Sequence, residues 1–162
     1  MDLIPNQGAR IRVQTLSELG EVYAVRAQLE GFAASLESIQ SDLEAVVTSL
    51  SLPEEQRAID ATINAQITRF NEDFHAVIRD AAGNGLLDRM INDLQRHFPK
   101  DYVWRTIGSV SQIRAINVAE HRRILKALKR HDASAAQSAM SGHVQHAGAI
   151  LLRHLHERGA AS

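Results

Sequence analysis

Proline breaks helices, and this chain has only three, Pro5, Pro53 and Pro99. Between them the apolar residues recur at spacings of three and four and do not alternate. A chain patterned this way cannot bury its apolar side chains in a sheet, and it predicts an all-α fold after the opening residues. The connections are short, so an antiparallel bundle of six or seven helices is expected.

The first helix is expected over about Ser17 to Leu36, with Leu16, Leu19, Val22, Tyr23, Leu29, Phe32, Ala33 and Leu36 on its apolar stripe. Arg26 falls inside that stripe, and a charge there needs a reason. A shorter helix is expected over Ser41 to Leu50. A long one follows Pro53, with Ile59, Ile63, Ile67, Phe70, Phe74, Val77 and Ala81 inward, and Gly83, Asn84 and Gly85 end it. The next runs from Leu86 to Phe98. One or two more carry Trp104, Ile107, Ile113, Ile116, Ile124 and Leu128. Asp132 is placed to cap the final helix, Ala133 to Leu155, whose face of Ala136, Ala139, Met140, Ala147, Ile150 and Leu151 allows a neighbouring helix to approach closely.

The exception is the opening. From Leu3 to Val13, Pro5, Asn6 and Gly8 interrupt short apolar pieces that end in alternation, which reads as half of a hairpin with its partner missing.

At 162 residues, 44% hydrophobic, the chain makes one domain with a single core. A formal net charge of −1 with no basic run argues against nucleic-acid binding by this segment. The absence of cysteine excludes disulfides and thiolate-held metals, so any ion must be bound through nitrogen and oxygen. No signal-peptide core or membrane span is evident, and the default location is cytoplasmic.

Three of the eight histidines, His75, His121 and His143, fall on apolar stripes of three different helices. Asn71 precedes His75 by four residues, which stacks the two on one helical face. Three neutral imidazoles and one oxygen can hold zinc, nickel or iron(II) with positions left open. A histidine on an apolar face is more often simply hydrogen-bonded to backbone, so the spacing leaves both readings open. His97, His131, His146, His154 and His156 are taken as surface residues. No His-Glu-x-x-His run, nucleophile elbow, phosphate loop or dinucleotide fingerprint is present.

These residues resemble a known family. Tyr23-Ala-Val-Arg26-x-x-Leu29-Glu30, then Phe74-His75 with Ala81-Ala82-Gly83-Asn84, then Glu120-His121-Arg122-x-Ile124-Leu125-x-Ala127, and finally Asp132, Ala136, Met140 and His143 follow the order seen in the C-terminal effector-binding (FCD) domain of FadR-branch GntR transcription regulators. The spacings of 46 residues from His75 to His121 and 22 from His121 to His143 fit as well.

The resemblance implies a ligand-sensing, dimerising domain over residues 14–162, with residues 1–13 left from the wing and linker of a DNA-binding winged helix that the chain otherwise lacks. It implies a divalent metal, zinc foremost, on Asn71, His75, His121 and His143. The family's first ligand is a carboxylate, whereas Asn71 is an amide, a weaker donor that brings no charge. It further implies a small carboxylate effector, with Arg26 and Arg105 as candidate anion-binding residues, contact with DNA only through the missing domain, and no enzymatic activity. For Arg26 an ion pair with Glu30 is an equal alternative.

Two rival functions remain. In a metal-dependent enzyme Glu72 or Glu120 would be the general base, yet each neighbours a proposed ligand in sequence and therefore points about 100° away around the helix. In a structural dimerisation bundle the histidines would merely hydrogen-bond.

Overall fold

The computed structural model describes residues 2–4, 8–10, 15–40, 61–96 and 110–159, with side chains over 15–36, 71–96 and 116–158. The fold is all-α apart from its opening. Five helices lie among the described residues: α1 (Leu16–Gln40), α2 (Ala61–Ala81), α3 (Gly85–Arg96), α4 (Val110–Leu128) and α5 (Ala133–Gly159). The expected helix over Ser41 to Leu50, and the segment with Trp104, Arg105 and Ile107, fall outside the described residues.

The opening corrects its expectation. Strand β1 (Asp2–Ile4) pairs antiparallel with β2 (Gly8–Arg10), placing Asp2 opposite Arg10, Leu3 opposite Ala9 and Ile4 opposite Gly8. The hairpin therefore has both its strands. Three-residue strands are too short to show alternation, so the first was not legible as a partner.

Helix ends follow local chemistry. Thr15 and Glu18 form a reciprocal capping box on α1: Glu18 N donates to Thr15 Oγ1 at 3.2 Å and Thr15 N to Glu18 Oε2 at 2.8 Å. Asp132 caps α5 as expected, accepting from Ala135 N at 3.0 Å. Gly83, with φ of 64°, ends α2 in the left-handed region that glycine adopts without strain.

α1 packs against each of the other four helices, most extensively along α5. The pair is antiparallel, since Tyr23 meets Gly148 while Gly31 meets Gln137 and Ser141 further along α1. Ser141 Oγ ties them by donating to Ala27 O at 2.8 Å. The crossing runs through Ala27, Gly31 and Ala34, all buried. That face is rotated from the expected stripe, so Phe32 is 44% and Leu16 42% exposed. Small residues let the backbones approach, and the bulky Phe32, one residue and about 100° away from Gly31, falls outside the contact.

Close approach makes Gly148 sensitive. A Cβ there would lie 2.7–2.8 Å from Cβ, Cγ and Cδ1 of Tyr23, whose Cβ cannot swing aside. Overpacking costs about 1–3 kcal/mol, and relieving a helical glycine returns roughly 1 kcal/mol. Gly148→Ala is expected to lose about 1 kcal/mol net, read from the urea midpoint. An unchanged midpoint would mean that α1 and α5 separate easily.

The core beneath gathers Phe74, Ile78, Ile124, Leu128, Met140 and Val144 around Ala27 and Ala34. The polar groups buried alongside are Glu30, His75, Asn117, His121 and His143.

Candidate metal centre

Three of the helices around α1 each deliver one imidazole to the same point. α2 contributes His75, with Asn71 one turn before it; α4 contributes His121, stacked on Phe74 at 3.8 Å between centroids; α5 contributes His143. His75 Nε2 lies 3.2 Å and His121 Nε2 3.3 Å from His143 Nε2. One ligand atom from each of the three falls within 4.8 Å of the others, the separation at which three side chains can hold one ion.

The outer sides of two rings face carboxylates. His143 Nδ1 donates to Glu120 Oε2 at 2.8 Å, and His75 Nδ1 lies in contact with Glu30 Oε2, without the alignment of a full hydrogen bond. Carboxylates only accept, so both rings carry their proton on Nδ1 and turn an Nε2 lone pair inward. Two lone pairs 3.2 Å apart repel unless a proton or another cation lies between them.

Protonation is opposed. Burial pushes the His121 pKa down to about 2, with His143 and His75 adding to the effect. Burial also lowers that of His75, against the pull of Glu30. A divalent ion meets the requirement without protonation. Zinc–nitrogen bonds of about 2.0–2.1 Å at tetrahedral angles separate neighbouring nitrogens by about 3.3–3.4 Å, close to what is found here. Asn71 could supply a fourth donor: among the described residues its Oδ1 is buried with no hydrogen-bond partner, and the residue lines the same cavity as His75 and His143. The residues present fit a metal, and Glu30 and Glu120 stand where outer carboxylates would orient ligating imidazoles.

Although burial opposes its charge, His75 and Arg26 together hold the Glu30 carboxyl well below the usual carboxylate range. Glu120 is likewise lowered against burial by its hydrogen bonds from His143 and His146, the latter at 2.6 Å.

The direction of acid sensitivity follows. His75 and His121 stay neutral in the folded chain below 6.5, where the unfolded chain takes up protons, so stability falls as pH drops below 6.5. Glu30 acts the same way lower down, its contribution present above 4.5 and lost as pH falls through its depressed folded pKa. Chelator-treated protein is expected to hold its stability from pH 7.5 to about 6.5 and to lose it progressively below, read from urea midpoints between pH 7.5 and 5. His121→Leu should remove one histidine's share of the slope, and a flat profile would contradict neutral buried imidazoles.

Arg26 also lines the cavity, but its guanidinium is engaged. Nε and one terminal nitrogen donate to Glu30 Oε1 at 2.8 and 2.6 Å, and Tyr23 lies under it at 5.1 Å. The charge on the apolar stripe is thus answered by a buried charge one turn on. Arg105 and His97 lie outside the described residues. His131 and His156 are exposed as expected, and His146, its side chain 42% exposed, reaches Glu120 from the surface, whereas His154 is half-buried, a correction to its surface assignment.

Sequence reasoning missed the contact of Glu30 with His75 and the role of Glu120. Arg26 and Glu30 at i and i+4 was the available signal for the first, since an acidic residue four after a stripe arginine shares its face.

Comparison with known proteins gives the family. Residues 21–146 match the FCD domain family. The chain belongs to the FCD family. It is also 30% identical over 158 residues to the uncharacterised HTH-type transcriptional regulator YdhC of Bacillus subtilis (strain 168), a match spanning 94% of this chain and 67% of that protein. The chain is accordingly an effector-binding regulatory domain of a GntR-type transcription regulator. Arg26, Glu30, Asn71 and the three inward histidines all fall inside the matched FCD span. No described helix is long and apolar enough to cross a membrane.

Proposed function

We propose that this FCD domain senses a small carboxylate through a divalent metal held by Asn71, His75, His121 and His143, and that it works as a homodimer whose DNA contacts are made by a winged helix joined to its N-terminal end. Zinc suits the donor set best, with nickel or iron(II) as alternatives. The observation that carries the reading is the inward convergence of imidazole lone pairs beside the unpartnered oxygen of Asn71.

When bound, the ion offers an electrophilic position to a carboxylate oxygen. The chain's own groups do the rest. Glu30 and Glu120 hold His75 and His143 in one tautomer, Phe74 fixes the plane of His121, and Arg26 stands on the cavity wall where an anion alters its pairing with Glu30. Arg26 and Glu30 belong to α1, the helix in contact with every other described helix and the next described element after the opening hairpin. A ligand that binds one placement of α1 more tightly than another shifts the population between them.

Catalysis through Glu120 is disfavoured, since its two oxygens are taken by His143 and His146; Glu72, the other candidate base, lines the cavity and has an interaction of its own.

The test is thermal stability of chelator-stripped protein. Zinc is expected to raise Tm, and a panel of small carboxylates to raise it further only when zinc is present. Saturation at about 100 times Kd contributes about 2.7 kcal/mol, or roughly 5–10 °C for a domain of this size. An acid that stabilises stripped and loaded protein equally would contradict metal-mediated sensing.

A further inference from the structure

The cavity beside the histidines has a second cationic wall. Arg79 follows His75 by four residues on α2, so Asn71, His75 and Arg79 form one row at successive turns. All three line the same cavity, together with Gln95 of α3. Arg79 is only 10% exposed, and its Nε donates to Asp88 Oδ1 at 2.9 Å. Asp88 is in turn held by Asn92, whose Nδ2 donates to Oδ2 at 2.9 Å.

The two arginines of the cavity differ in how firmly they are neutralised. Glu30, the partner of Arg26, is 1% exposed and takes two of its donors, so an arriving anion must compete with it. Asp88 is 32% exposed and takes one donor, so water screens it. Among the described residues that is the only hydrogen bond of the Arg79 guanidinium, and the anchored Nε orients the remaining fork. The other charged group on the wall, Glu72, has an interaction of its own.

We infer that Arg79 receives a second anionic group, so that the cavity selects a small dicarboxylate over a monocarboxylate of the same length. The inference rests on the metal-sensor reading above. One carboxylate meets the metal end between His75 and His143, and the other pairs with the Arg79 fork one turn further along α2. The cavity between the metal end and Arg79 measures about 50 Å³, so the acid must be short and the wall must give to seat it.

Calorimetric titration of zinc-loaded protein with succinate and with butyrate tests it. Succinate is expected to bind about tenfold or more tighter, the size of an added charge-assisted hydrogen bond. Arg79→Met should reduce succinate to the butyrate level and leave butyrate unchanged. Asp88→Asn, which keeps an acceptor oxygen for Nε and removes the competing charge, should tighten succinate and leave butyrate unchanged, and covers the case in which Arg79→Met does not fold. Equal affinities in the unaltered protein, or a succinate preference that survives Arg79→Met, would overturn the role of Arg79 while leaving the metal sensor standing. Zinc uptake with no binding of either acid would instead overturn the carboxylate-sensor reading, and this inference with it.

Discussion

Glu30→Ala is expected to destabilise the domain by about 3–5 kcal/mol, the usual effect of removing one partner from a buried ion pair. Glu30 is 1% exposed and takes two donors from Arg26 through Oε1 while Oε2 faces His75. Its removal leaves a guanidinium 14% exposed with no compensating charge and frees the outer side of His75. The loss is therefore electrostatic, beyond that of a cavity. The double variant Arg26→Met with Glu30→Leu, which removes both charges and keeps volume, should recover most of it. Urea unfolding checks both. A loss under about 1 kcal/mol for Glu30→Ala would mean that the pair behaves like an exposed one.

Phe74→Ala is expected to lose a similar amount, about 3–5 kcal/mol, for a different reason. Phe74 is fully buried at the centre of the core and stacks on His121 with the ring planes 5° apart. Truncation opens a cavity and removes the surface that fixes the imidazole. Stability and zinc affinity should fall together, whereas Ile124→Val, a smaller cut in the same core, should lower stability by about 1 kcal/mol with zinc affinity unchanged. Zinc affinity unaffected by Phe74→Ala would separate the stack from the site.

The elements were legible where the signal is local. Spacings of three and four give α2 and α5, Asp132 marks a start and Gly83 an end. Thr15-x-x-Glu18 was equally local and sets the start of α1 at Leu16, just before the expected Ser17. What failed depends on partners. Phe32 belongs to an apolar stripe by period, yet the face that α1 buries is chosen by α5, whose close approach demands Ala27, Gly31 and Ala34.

The same division holds at the site. His75, His121 and His143 were readable because each interrupts an apolar stripe, a position that an imidazole occupies only with a polar partner. Their convergence depends on how three helices cross, which spacing does not encode. Glu120 shows the limit. Its angle from His121 on α4 argued correctly that it does not share that residue's direction, but the carboxylate reaches His143 and His146 on α5, a relation absent from its own helix. Arg26 was readable as a charge in need of an answer, and Glu30 supplies it.

The central claim is that Asn71 and the three histidines hold a divalent ion, and elemental analysis of purified protein beside His143→Ala and Asn71→Asp tests it most directly. The account predicts about one ion per chain in the unaltered protein, its loss in His143→Ala, and tighter retention against chelator in Asn71→Asp, where a carboxylate replaces the amide. Full occupancy in His143→Ala, or no uptake by the unaltered protein after incubation with zinc, would contradict it.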